Sequence, residues 1–190
     1  MEALLASSLS VLFILGFTAA TQTMRTEMTK QDHYYNTNRA TRVAFDRMAR
    51  DAKEAIRIES TQGTFTTGDS TVIFRLPSID ANGDATNIDT QFDYVIYRLN
   101  SATSTLLRNL DLLNGTSVRE GGSDLTNEVI AQNVQSLTFS YAGTALGSVA
   151  AASLSGYKYF NADLTSRSTL MGVAQNTEAD TDIMLRNNLT

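Results

Sequence analysis

The 190-residue chain contains no cysteine and no tryptophan, a single histidine and a single proline. Lack of cysteine excludes a disulfide-stapled scaffold, a thiol nucleophile, CxxC redox chemistry and thiolate metal sites. With His33 as the sole histidine, neither a histidine metal cluster nor a histidine-centred triad is available. No GxSxG, HExxH, phosphate-loop or paired-carboxylate signature occurs, and REGG, Arg119 to Gly122, lacks the flanks of a phosphate loop. The sequence is therefore read as non-enzymatic. Also missing is any lysine or arginine ahead of Arg25.

What stands ahead of Arg25 is MEALLASSLSVLFILGFTAATQTM, uncharged from Ala3 to Met24. A helix rises about 1.5 Å per residue, so about 20 such residues cross a bilayer's hydrocarbon core. A signal peptide or a signal anchor needs basic residues before its apolar run. The conflict disappears if a basic leader precedes Met1 and is cut away. Glu2 then heads the apolar run. Burying a lone carboxylate among packed helices costs several kcal/mol unless a cation pairs with it. The plainer reading is an acid that favours the positive end of its own helix dipole.

The stretch MEALLASSLSVLFILGF resembles the N-terminal signature of the type IV pilin and type II secretion pseudopilin superfamily. Members have a short basic leader, then an apolar helix with glutamate at the fifth mature position. Here the glutamate is second, so the resemblance implies three further mature residues before Met1 or different processing. It further implies that Glu2 pairs with the free amino group of a neighbouring subunit and sets the stagger between copies. Leu4, Leu5, Leu9, Leu12, Phe13, Ile14 and Phe17 would form the packed filament core. The implied partners are copies of the chain, other pilin-like subunits, the inner membrane before assembly and a prepilin peptidase. N-terminal methylation and an extracellular or periplasmic filament belong to the same expectation.

Charge divides the rest of the chain. Residues 25–58 carry eight Lys/Arg against five Asp/Glu, whereas residues 59–190 carry seven against fourteen. A basic stalk thus precedes an acidic body, which argues against general nucleic-acid binding. In NRATRVAFDRMARDAKEAIRI, Ala40, Ala44, Met48, Ala52 and Ile56 recur every four residues, flanked by Phe45 and Ala49. This predicts an amphipathic helix, with Asp46 and Arg50 as an i,i+4 pair. The expected divisions are an apolar helix over 1–24, an amphipathic helix over 25–58 and a β-rich head over 59–190. An unbroken 58-residue helix would measure about 87 Å. Gly16, Thr18, Thr21 and Thr23 predict local melting between Gly16 and Thr23. Tyr34 and Tyr35 are expected to pack on a head or a neighbouring subunit.

Beyond Glu59 the period changes. TVIFRL, FDYVIYRL, STLLRNL and VQSLTFSYA read as four strands, with DIMLRNN as a candidate fifth. Tight links predict an antiparallel meander whose apolar face receives the helix. The fold class is therefore α+β: a long N-terminal helix on an antiparallel sheet. The order of elements resembles J-type minor pseudopilins and W-type minor pilins. Residues 142–180 show weak patterning and are expected to form surface loops or subunit contacts.

DANGDATNIDTQ offers oxygen ligands at alternate positions. Asp80, Asn82, Asp84 and Thr86 occupy positions 1, 3, 5 and 7 of a Ca²⁺ loop, with Asp89 in place of the usual late glutamate. Ala85 stands where the turn glycine belongs and Gln91 at position 12. A solvated hairpin turn rich in Asp, Asn and Gly is the other reading. Asn114 and Asn188 each begin a glycosylation sequon. The functional expectation is a structural subunit of a pilus-like or pseudopilus filament. The rival is a monomeric, membrane-tethered binding or adhesion module, which needs no contribution to polymerisation from Glu2.

Overall fold

A computed structural model describes residues 2–86, 90–112, 117–170 and 173–185; the side chains at 2–6, 8, 33, 37, 168–170, 173 and 175 lie outside the description. The fold is α+β, one long helix packed against antiparallel sheets. Helix α1 runs Glu2–Glu54 without interruption. The melting expected between Gly16 and Thr23 does not occur. Threonine hydroxyls there bond back along the helix: Thr18 Oγ1 donates to the Ile14 carbonyl at 2.7 Å, Thr23 Oγ1 to Ala19 at 3.0 Å, and Thr21 Oγ1 to Phe17. Such back-bonding gives the hydroxyl a partner without leaving the helical conformation.

The helix stops four residues short of the expected boundary at 58 because the sheet captures its exit. The Ile56 N–H donates to the Arg75 carbonyl at 2.8 Å, and strand β1, Arg57–Ile58, pairs antiparallel with β4, Thr71–Pro77. Between them lies a short hairpin, β2, Thr61–Gln62, and β3, Phe65–Thr66. Three more strands complete the first sheet: β5, Phe92–Asn100; β6, Thr105–Asp111; and β7, Leu125–Gln132. Its order is β1-β4-β5-β6-β7.

A second sheet follows instead of the expected loops. It contains β8, Val134–Tyr141; β9, Thr144–Ala145; β10, Tyr159–Leu170; and β11, Val173–Met184, in the order β11-β10-β8-β9. A short helix α2, Ala151–Leu154, precedes β10. So the single meander predicted from sequence is two sheets. Of the segment DIMLRNN, Asp182, Ile183 and Met184 end a twelve-residue strand rather than forming a strand of their own, and residues 186–188 lie outside the described residues. Within the supposed loops, Leu146, Leu154, Phe160, Ala162 and Leu164 are buried.

The core lies where α1 meets β4 and β7 of the first sheet and β10 and β11 of the second. Ala44, Met48 and Ala52 are fully buried, as the four-residue spacing requires. Aromatic rings bridge the sheets: Phe74 meets Tyr97 at 5.9 Å and Phe160 at 5.6 Å, and Phe160 meets Phe139 at 5.8 Å. Such edge-to-face and tilted pairs add to the area they bury. Ile73 and Ile96, paired across β4 and β5, are buried on the opposite face of the first sheet. The β2–β3 hairpin lies over that face, with the Arg98 guanidinium 5.5 Å from the Phe65 ring.

Candidate assembly surface and the charged lock behind it

The first buried side chain recorded along α1 is Thr41. In the first turns of α1 the described apolar residues are uncovered. Phe13 is 76% exposed and Leu9 73%, and Leu12, Ile14 and Phe17 are similarly open. An uncovered apolar patch of this kind marks a surface that meets a partner or a lipid phase. Glu2 lies in the helix, but its side chain and those of Leu4 and Leu5 fall outside the description. Among the described residues, no helix is long and apolar enough to cross a membrane. Tyr34 and Tyr35 are exposed and line a shallow hollow with Glu27 and Asn176 of β11.

Further along α1, an ionic network fixes the helix to the head. Arg108 sits on the core face of β6 between Leu106 and Leu110 and is fully buried. Its Nε donates to Asp51 Oδ2 of α1 at 2.8 Å. Its two terminal nitrogens clasp Glu120, Nη2 to Oε1 at 2.7 Å and Nη1 to Oε2 at 2.9 Å. The Tyr97 hydroxyl donates to the same Asp51 oxygen at 2.6 Å. Arg47 of α1 completes the network by donating to Glu128 Oε1 at 2.7 Å. A two-point guanidinium–carboxylate pair is among the stronger hydrogen-bonded contacts.

A second knot lies beside the first. Arg119 Nη1 donates to Glu54 Oε2 at 2.5 Å, its Nε to the fully buried Asp93 at 3.1 Å, and its Nη2 to the Pro77 carbonyl at 2.9 Å. Ser78 donates to Asp93 Oδ1 at 2.9 Å, and Ser117 shares Oδ2 with Arg119, donating at 2.7 Å. Arg119 and Glu120 are adjacent in REGG, a single turn that holds both knots. Glu120 takes a left-handed conformation at φ 49°, followed by Gly121 at 92° and Gly122 at 72°. A side chain at position 122 would press on the Ser117 carbonyl. REGG is thus a clasp between head and helix.

These neighbours move the titrating groups. Burial pushes the Tyr97 hydroxyl well above the usual tyrosine range, and the Asp51 charge reinforces the shift. Burial alone would lower Arg108, but hydrogen bonds to Asp51 and Glu120 outweigh it and hold the guanidinium more firmly charged. For Glu120, partial burial favours the neutral form, yet the hydrogen bond and charge of Arg108, with help from Arg47, bring it below the usual glutamate range.

The proposed calcium residues form a tight turn. Asp80 Oδ1 accepts from the Asn82 and Asp84 N–H groups, both at 2.9 Å, and Oδ2 from the Asn82 amide at 3.3 Å. The Asp84 N–H, chief among these donors, lowers the Asp80 carboxyl from its ordinary value. Thr86 turns away, its hydroxyl donating to the Ser78 carbonyl at 3.0 Å. Asp89 lies outside the described residues, as do both sequon asparagines, Asn114 and Asn188. Among the described residues, no group of three or more His, Asp or Glu side chains is arranged to hold a metal ion. Nor does the expected Asp46–Arg50 pair occur among their ion pairs.

No protein-family model matches the chain, and neither a curated protein nor a solved structure is similar to it.

Proposed function

We propose that the chain is a structural subunit of a helical filament of the pilus or pseudopilus kind, polymerised through the first half of α1. The observation that carries this reading is the uncovered apolar segment from Leu9 to Phe17, held away from the head on an uninterrupted helix. A surface of this kind is stable in water only when something covers it. Identical helices from other copies cover it over its full length, and a bilayer covers it before assembly. Burial from water is worth about 25 cal/mol per Å². Transfer out of lipid yields far less, so packing and paired charges must define the arrangement. Glu2 supplies that definition by pairing with the amino terminus of a neighbour. The charged lock serves the same end, because it fixes each head's orientation on its own rod.

The test is the variant Glu2→Gln in the full-length protein. Filaments should fall at least tenfold by sedimentation and electron microscopy, while head unfolding is unchanged. Mass spectrometry of filament-derived chains should show a processed N-terminus. Filaments of normal yield and unaltered helical rise from Glu2→Gln would remove the register role. Absence of the chain from any filament would favour a tethered monomer instead.

A further inference from the structure

The amphipathic half of α1 has a second face. Arg39, Arg42, Asp46, Arg50 and Lys53 are spaced by three and four residues, opposite the buried Ala44–Met48–Ala52 stripe. All five are exposed, and none belongs to an ion pair among the described residues. Val43, beside them, is half exposed. So this stretch of helix is packed on one side and bare, cationic and partly apolar on the other.

The outer face of the second sheet has the complementary character. Along β10 and β11 inward and outward residues alternate, and the outward positions include Asp163, Asp180 and Asp182, all exposed. Asp163 and Asp180 are directly opposite each other in the β10–β11 register. Like charges so placed oppose the pairing of their own strands. Among the described residues, Asp163 and Asp180 have no ion-paired cation; Asp182 accepts only the Asn161 amide, at 3.4 Å. Glu178 differs, standing across a surface hollow from Arg39 and Arg42 of the same chain.

The geometry points to a contact between copies in which the Arg50–Lys53 end of one helix stripe docks on the Asp163–Asp180–Asp182 sheet face of the next. The occupant is a second copy because the chain presents both halves of the pair, on surfaces facing away from its own core. A head-to-tail contact of this kind is heterologous, and where its rotation does not close into a ring it repeats as a filament. It relieves the opposed aspartates with cations that the isolated subunit does not supply. The inference rests on the filament reading for its partner but uses the head, not the apolar rod.

The test is a mixture of ¹⁴N- and ¹⁵N-labelled full-length chains, assembled together, joined with a zero-length carbodiimide and analysed by peptide mass spectrometry. Lys53 should be linked to Asp163, Asp180 or Asp182 in mixed-isotope pairs, and the yield should fall as salt rises toward 1 M, where the screening length is about 3 Å. Arg50→Glu/Lys53→Glu should weaken association about tenfold, as expected for loss of a few exposed ion pairs. Adding Asp163→Lys/Asp180→Lys to that chain should restore it. Arg50→Gln/Lys53→Gln, which keeps the helix intact, provides the same comparison should reversal disturb folding. Filaments with no mixed pairs, unmoved by these variants, overturn the docking and leave the filament reading standing. Mixed pairs between copies that never form filaments sustain the docking and overturn the filament reading. Chains showing neither overturn both.

Discussion

Arg108→Met removes the centre of the charged lock. The side chain is fully buried and touches three carboxylates, Asp51, Glu120 and Glu128. Glu120 and Glu128 are about one-third exposed, so each can turn to water once released. Asp51 cannot, being 8% exposed, although the Tyr97 hydroxyl continues to donate to it. Removing one partner of a buried ion pair costs about 3–5 kcal/mol, and the remaining tyrosine bond puts this site at the lower end, about 3 kcal/mol. For a chain of this size that is a fall in Tm of about 9 °C. The assay is thermal unfolding of the full chain, with hydrogen exchange at the Thr41–Glu54 amides reporting whether the helix loosens from the head. The companion is the triple variant Tyr97→Phe/Asp51→Leu/Arg108→Met. It leaves no orphaned charge and should regain most of the lost stability. A loss below about 1 kcal/mol from Arg108→Met would mean that water reaches Asp51 and that the apolar stripe alone holds the helix. A triple variant no better than the single would refute the charge accounting.

Two further outcomes concern the lock and the apolar stripe beside it. Since the folded state holds Glu120 below the ordinary glutamate range, the unfolded chain takes up its proton first as pH falls. The associated stability is complete above about pH 4.3 and disappears as pH drops through the folded value. Glu120→Gln should therefore flatten the stability curve of acid unfolding below that point while lowering stability at pH 7. Met48→Ala should cost about 2–5 kcal/mol by calorimetry, because Met48 is fully buried at the helix–sheet contact.

The helix was legible because its spacing repeats over several turns. Ala44, Met48 and Ala52 mark the packed face without reference to anything distant. Strands β4, β5 and β8 were legible from dense β-branched and aromatic content, and β6 from its leucines beside a short turn. Strands β10 and β11 were not, because their inward positions include Ala162, Ser166, Thr177, Ala179 and Thr181, small or polar residues that leave a faint alternation. They fit there because the helix approaches closely, a circumstance local sequence does not announce. The lock was hidden for a different reason: Asp51 and Arg108 are 57 residues apart and meet only through topology. A signal did exist. Within STLLRNL, an arginine shares the inward face of its strand with Leu106 and Leu110, and an arginine at a core position demands a buried acid. REGG was weighed only as a phosphate loop, for which it lacks the flanks, since its part depends on where the helix passes.

The route by which the helix enters the sheet determines how a force applied along α1 would reach the head. Only Ala55 and Ile56 separate α1 from β1, and β1 is paired directly with β4. Tension along the rod therefore reaches the sheet at once, with no slack chain to stretch first. Part of it passes sideways through Asp51 and Glu54 into two arginines anchored on separate elements, so these contacts resist sliding together. A stalk rigidly clamped in this way transmits pull to the head as a single body.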